Sequence, residues 1–144
     1  MTLVSVPDMS HEVAQRLVSA VHAAAEEHGV RLAAAVVDRG GNVVVAARMD
    51  GAQLGAMSLG IDKAFTAVSF GHPTSMWAAS STPGASDWGL GTTLGGRAIV
   101  FPGGVPLYSE GNLVGGLGVS GAAASTDESC AEAAAEACDL RTRR

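Results

Sequence analysis

Charge is scarce in this chain. Of its 144 residues, 16% are charged, against about a quarter in an ordinary soluble domain. The shortage is concentrated in the middle, where Gly40 to Glu110 carry only Arg48, Asp50, Asp62, Lys63, Asp87, Arg97 and Glu110. A soluble chain with so bare a middle is expected to bury part of it against another copy of itself. The net charge of −5 leaves no basic stripe for nucleic acid. The one basic cluster, Arg141, Arg143 and Arg144, reads as a solvated tail. Cysteine is nearly absent. Cys130 and Cys138 lie eight residues apart on one predicted helix, about 12 Å along its axis. That is too far for a disulfide, so both are read as reduced thiols, which suits the cytoplasm. No apolar run reaches the roughly 18 residues of a membrane span, and no basic-then-apolar segment marks a signal peptide. Ser-His-Asp, P-loop, HExxH and CxxC signatures are missing. The expectation is a cytoplasmic protein without nucleic-acid or membrane partners.

What is present fits a single domain over residues 1–144, long enough to bury a core without disulfide or metal. Val13, Leu17, Ala20, Val21 and Ala24 recur at helical spacing and predict an amphipathic helix over about 10–28, capped by Ser10 or Asp8 and stopped by Gly29. Two apolar runs, Arg31 to Val37 and Val43 to Ala47, flank the turn Asp38-Arg39-Gly40-Gly41-Asn42 and predict a hairpin. A second helix is expected from about Leu54 to Phe70. Leu54, Met57, Ile61, Ala64, Phe65 and Val68 form its apolar stripe, opposite Ala56, Leu59, Gly60, Lys63, Thr66, Ala67 and Phe70. A helix so nearly apolar all round is expected to be buried on both sides, the second side by another subunit or a ligand. Pro73 opens a short helix to Ala79, and residues 80–96 read as a long, functional or mobile loop. Arg97 to Phe101, Val105 to Tyr108 and Leu113 to Val119 predict three more strands around the turns Pro102-Gly103-Gly104 and Glu110-Gly111-Asn112. The last helix is expected to open on a capping box, Ser125 with Glu128, and to run to about Leu140. The order α-β-β-α-α-β-β-β-α implies an α/β domain of the α+β kind, with helices on an antiparallel sheet.

Several residues invite a chemical reading. Gly116-Leu-Gly118-Val-Ser-Gly121 spells G-x-G-x-x-G, but the next helix cap comes four residues later and no βαβ unit surrounds it. These glycines are read as allowing close packing on a strand or a ligand's approach. His11, His22 and His28 sit on the first helix without an i, i+4 metal pair. His72, at the end of the second helix, is a candidate for a ligand or proton-transfer role, or else only a dipole partner. Lys63 is the lone charge on a neutral face. It is either an anion anchor, base or nucleophile, or a salt bridge or snorkelling stem. Arg48 is either a carboxylate clamp or a corner tie to Asp50. Trp77 and Trp88, two of only six aromatics, flank the long loop and either line a flat pocket or fill core or interface.

The blocks Gly41-Asn-Val-Val-Val-Ala-Ala-Arg-Met-Asp-Gly-Ala52, Lys63-Ala-Phe-Thr-Ala67, Pro73-Thr74, Pro102-Gly-Gly-Val-Pro-Leu107, Gly111 to Gly121 and Asp127 resemble, in order and spacing, the haem-binding GlcG/HbpS-like family. That family is related to the C-terminal domain of PduO-like proteins. The resemblance runs over almost the whole chain. It implies a profilin-like fold with a five-stranded antiparallel sheet and flanking helices, assembled into homo-oligomers from tetramer to octamer. It also implies roles ranging from haem sensing to accompanying corrinoid enzymes, and a cofactor-free catalytic role in some members. Carried over by position, Arg48, Asp50, Lys63, Thr66, Gly103, Gly104 and Asp127 are the pattern residues. The chain departs from the pattern twice: Gly91 stands where many members carry Glu after Gly-Leu, and His72 stands where members often carry Arg before Pro-Thr.

Three readings follow. In the first, the protein is a small-molecule-binding oligomer holding haem or a related flat anionic ligand near a subunit interface. Arg48, Asp50, Lys63, Thr66, His72, Trp77, Trp88, Gly103 and Gly104 are its ligand-binding candidates, and no separate metal site is expected. In the second, it is a cofactor-independent isomerase, cyclase or hydrolase with Lys63 and His72 as the acid–base pair. In the third, it is an accessory subunit without a ligand.

Overall fold

The computed structural model describes residues 1–144. Four strands form one antiparallel sheet: β1 (Ala33–Val37), β2 (Val43–Arg48), β3 (Gly104–Ser109) and β4 (Asn112–Ser120), in the order β2-β1-β4-β3. Helices α1 (His11–His28) and α3 (Ala124–Ala137) cover one face, and α2 (Ala56–Phe70) covers the other. Helix α1 forms as its sequence predicts. The Ser10 side chain accepts from the Val13 amide, Gly29 closes the helix in the left-handed region, and Ala14, Leu17, Val18, Val21 and Ala25 are buried. The main core lies on that side, where Ala34, Val36, Val105, Leu107, Leu117 and Val119 meet α1 and α3. Central strand β1 is buried along its whole length.

Four expectations need correction. The sheet has four strands, not five, because Arg97 to Phe101 does not join a ladder. Side chains of the α2 region take its backbone groups instead. The Thr66 hydroxyl accepts from the Ile99 amide and contacts the Arg97 carbonyl, and the Thr74 hydroxyl donates to the Phe101 carbonyl. A segment whose polar groups are already bonded this way has no need of a strand partner. The short helix expected over Pro73 to Ala79 is one 3-10 turn, Thr74–Trp77. The capping box is also replaced. Helix α3 begins at Ala124, Glu128 accepts from the Ser75 hydroxyl, and Asp127 takes the Ala122 amide.

The fourth correction concerns α2. Its buried residues are Ala56, Gly60, Lys63, Ala64, Thr66, Ala67 and Val68. Most of these belong to the face read as the helix's second side. Leu54, 85% exposed, sits just before the helix, and Met57, Ile61 and Phe65 are only partly covered. Distance explains the inversion. A β-carbon placed on Gly118 would overlap the Gly60 carbonyl, and one on Gly116 the Ala64 carbonyl. The helix rides on glycine backbone, so only small side chains fit beneath it. The G-x-G-x-x-G run therefore serves helix–sheet approach.

Candidate functional site

Lys63 crosses the packed layer between α2 and the sheet. It is the largest fully buried side chain, with 1% of its surface exposed. Its ammonium donates to the Val119 carbonyl at 2.9 Å and to Asp127 at 3.1 Å, and lies 5.2 Å from the centre of the Phe101 ring. Burial holds the Lys63 pKa below its ordinary value, with Asp127 opposing the shift, and burial pushes Asp127 up against the pull of Lys63. Gly103 and Gly104 leave room for this pair. A β-carbon on Gly103 would lie 2.5 Å from the ammonium, and one on Gly104 would overlap the Lys63 carbonyl. Gly103 also has φ +129°, a region that favours glycine. The pattern residues Lys63, Thr66, Gly103, Gly104 and Asp127 thus form one closed unit. It ties α2 to β4, to α3 and to the 97–104 segment.

A different group of residues gathers at the C-terminal end of α2. Gly71 ends the helix in the left-handed region, and Tyr108 fastens that end by donating its hydroxyl to the Gly71 carbonyl at 2.6 Å. Beyond it, the rings of His72 and Trp77 lie 4.8 Å apart, and Phe70 packs edge-on against Trp77 at 5.1 Å. His72 Nδ1 lies 2.9 Å from the Pro73 carbonyl. A carbonyl only accepts, so Nδ1 is the donor in this contact, and Nε2 makes no hydrogen bond within the chain. Trp77 Nε1 and the Ser81 hydroxyl are buried without a hydrogen-bond partner. Phe70, 39% exposed, opens this cluster to the surface.

The structure therefore gathers the candidates in two groups, Lys63, Thr66, Gly103 and Gly104 inside and His72 with Trp77 at the surface, and keeps Arg48, Asp50 and Trp88 apart from both. Trp88 lies out on the loop, 65% exposed. Arg48 ends β2 opposite Ala33, exposed, and no ion pair joins it to Asp50. Asp50 lines a hollow with His22, Ala23, Glu26, Arg31 and Met49. None of the five hollows is lined by Lys63, Thr66 or His72, so the His72 cluster is a surface shelf. No group of three or more His, Cys, Asp or Glu could hold a metal ion. Both cysteines are free. No helix is long and apolar enough to cross a membrane. Two participants escaped the sequence reading. Phe70 was assigned only to a helix face, although its place two residues before His72 was the available signal. Ser81 gave none.

Comparison with known proteins places the chain. Residues 9–136 match the family model described as "Haem degrading protein HbpS-like". The chain is similar to the Klebsiella pneumoniae protein ORFY, with a TM-score of 0.94 at 32% identity, covering 96% of each chain. It is also similar to PduOC, solved as a haem complex, with a TM-score of 0.90 at 32% identity, covering 95% of this chain and 99% of that one. Over 136 residues it is 35% identical to the corrinoid adenosyltransferase PduO of Citrobacter freundii. The match covers 94% of this chain but only 41% of that relative. By the extent of the family match and the shared fold, this chain belongs to the HbpS-like family.

Proposed function

We propose that the protein binds haem, or a related flat anionic small molecule, on the shelf formed by Phe70, His72 and Trp77. The observation that carries this reading is the state of His72. Its Nδ1–H is spent on the Pro73 carbonyl, which leaves Nε2 as the ring nitrogen open to a ligand. Metal-binding imidazoles are characteristically held this way, because the backbone bond fixes tautomer and ring direction and raises the basicity of the other nitrogen. The residues fit the group in two further respects. Phe70 and Trp77 offer apolar ring surface beside the imidazole. Trp77 Nε1 and the Ser81 hydroxyl are polar groups still without a partner. Haem would supply an iron centre, and His72 Nε2 is the nitrogen that would hold it. Likeness to a protein solved with haem supports the same reading.

On this reading Lys63, Thr66, Gly103 and Gly104 act from behind the site, by fixing α2 and the segment beside it. The enzymatic alternative, with Lys63 as acid–base partner of His72, has no observation in its favour, since the Lys63 ammonium is enclosed by Val119 and Asp127. A homo-oligomer is part of the proposal, because the outer face of α2 is uncovered in the single chain. Haemin titration followed in the Soret region tests the reading. The wild-type chain is expected to give a sharp band that saturates at fixed stoichiometry, and His72→Ala to bind at least about tenfold more weakly. A band that never saturates, or one indifferent to His72→Ala, overturns it.

A further inference from the structure

We infer that residues Thr2–Val6 add as an extra strand to the free edge of β2 in a second copy of this chain. The two edges of the sheet differ. At the β3 edge, Tyr108 and Arg141 exchange backbone bonds of 2.8 and 3.0 Å, and Pro106 has no amide to offer. The β2 edge has neither device. Val43 to Ala47 are all apolar, no element lies beyond them, and the one charge, Arg48, comes at the end. An open apolar edge of this kind is a template for another strand.

The segment that matches it is in the same chain. Met1 to Pro7 carries no charged side chain, and Leu3, Val4 and Val6 stand exposed. Thr2 to Val6 is rich in β-branched residues, which favour extended backbone. Along α1 runs an open groove of about 870 Å³, bounded by Val45 and Ala47 of β2 at one side and reaching Glu12, Arg16 and Cys138 at the other. His22 Nε2 is buried beside it without a hydrogen-bond partner. A strand paired with β2 would send alternate side chains into this groove.

The unpaired state of the arm in its own chain selects a second copy over its own edge. Asp8 accepts from the Arg39 amide at 2.8 Å, and Met9 packs on the core. Pro7 lines a hollow with Ser109, Val114 and Leu140. In the single chain Thr2–Val6 forms no strand and stays exposed, so its own β2 edge is left unpaired. Exchange of arms about a two-fold axis satisfies both copies at once.

The test is a disulfide trap in a Cys138→Ser background, leaving only the buried Cys130. Val4→Cys with Val45→Cys, and Val6→Cys with Val45→Cys, place thiols at cross-strand distance if the arm is paired. Under mild oxidation at least one double variant is expected to run as a covalent dimer without reductant, and no single variant to do so. A monomer-sized species with an internal disulfide overturns the choice of a second copy, and no disulfide in either pair overturns the strand. Hydrogen exchange reads the same contact without new cysteines. Deleting Thr2–Val6 is expected to speed exchange of β2 amides at least about tenfold, and unchanged exchange also overturns the inference.

Discussion

The two faces of α2 reverse the usual rule. The inner face carries Gly60, Lys63, Ala64, Thr66 and Ala67, small residues and one charge, yet it is buried. The outer side and flanks carry Met57, Leu59, Ile61, Phe65 and Phe70, which are only partly covered. In most helices the apolar residues face inward because burial is worth about 25 cal/mol per Å². Here the helix lies so close to the β3 and β4 backbones that volume decides first. Large side chains cannot enter, and the only long one that does, Lys63, extends through the layer to Val119 and Asp127. The outer residues are then left for whatever the single chain does not contain. A buried face is thus recognised here by close approach, and an exposed apolar face marks a surface with work to do.

Three measurements sharpen this contrast. The largest effect is expected from Lys63→Met, which strands the Asp127 carboxylate in the interior. Urea unfolding should show a loss of about 3–5 kcal/mol, most of it recovered in Lys63→Met/Asp127→Leu. If the single variant is as stable as wild type, the pair is not the tie described here. Next comes Gly118→Ala, whose new methyl meets the Gly60 carbonyl. It should cost up to about 3 kcal/mol, while Leu59→Ser on the outer face changes the monomer's stability by no more than about 0.5 kcal/mol. Equal effects on the two faces would erase the distinction.

The smallest effect is in pH. Asp127 holds its proton in the folded chain above the unfolded value of 3.8. That contribution to stability is full below pH 3.8 and is lost as the pH rises through the folded value. Lys63 mirrors it: its contribution is full above 10.5 and is lost as the pH falls through its lowered folded value. The ionised pair is therefore least favourable near neutrality. The stability of Lys63→Met/Asp127→Leu relative to wild type should be greatest there and shrink towards both extremes. A difference that grows in acid would reverse the assigned directions.

Much of the fold was legible in the sequence for local reasons. Ser10 and Gly29 bound α1 because capping depends on the residue at the end of the helix. Asp38 to Asn42 forms the hairpin turn, with the Asp38 carboxylate accepting from the Gly40 and Asn42 amides. The misread elements were those decided by distant partners. Arg97 to Phe101 has strand composition, but Thr66 and Thr74 take its backbone bonds from 31 and 27 residues away. Glu128 looked like half of a capping box, yet it serves Ser75, 53 residues away. At the candidate site, Lys63 and His72 both stood out as polar residues on or next to a neutral helix. Only the packing separates them, since one is enclosed with Asp127 and the other opens to the surface beside Trp77.

The sequence by itself determined an α+β fold, its three long helices, its hairpins, its free cysteines and its family. Each of these follows from residue types at short spacing, or from blocks whose order is preserved. Tertiary structure alone decided the number of strands, which face of α2 is inside and the pairing of Lys63 with Asp127. It also opened the His72–Trp77 pair to the surface at Phe70 while enclosing Lys63. These outcomes depend on how closely backbones approach and on which buried polar group finds which partner, and neither is encoded at any one position.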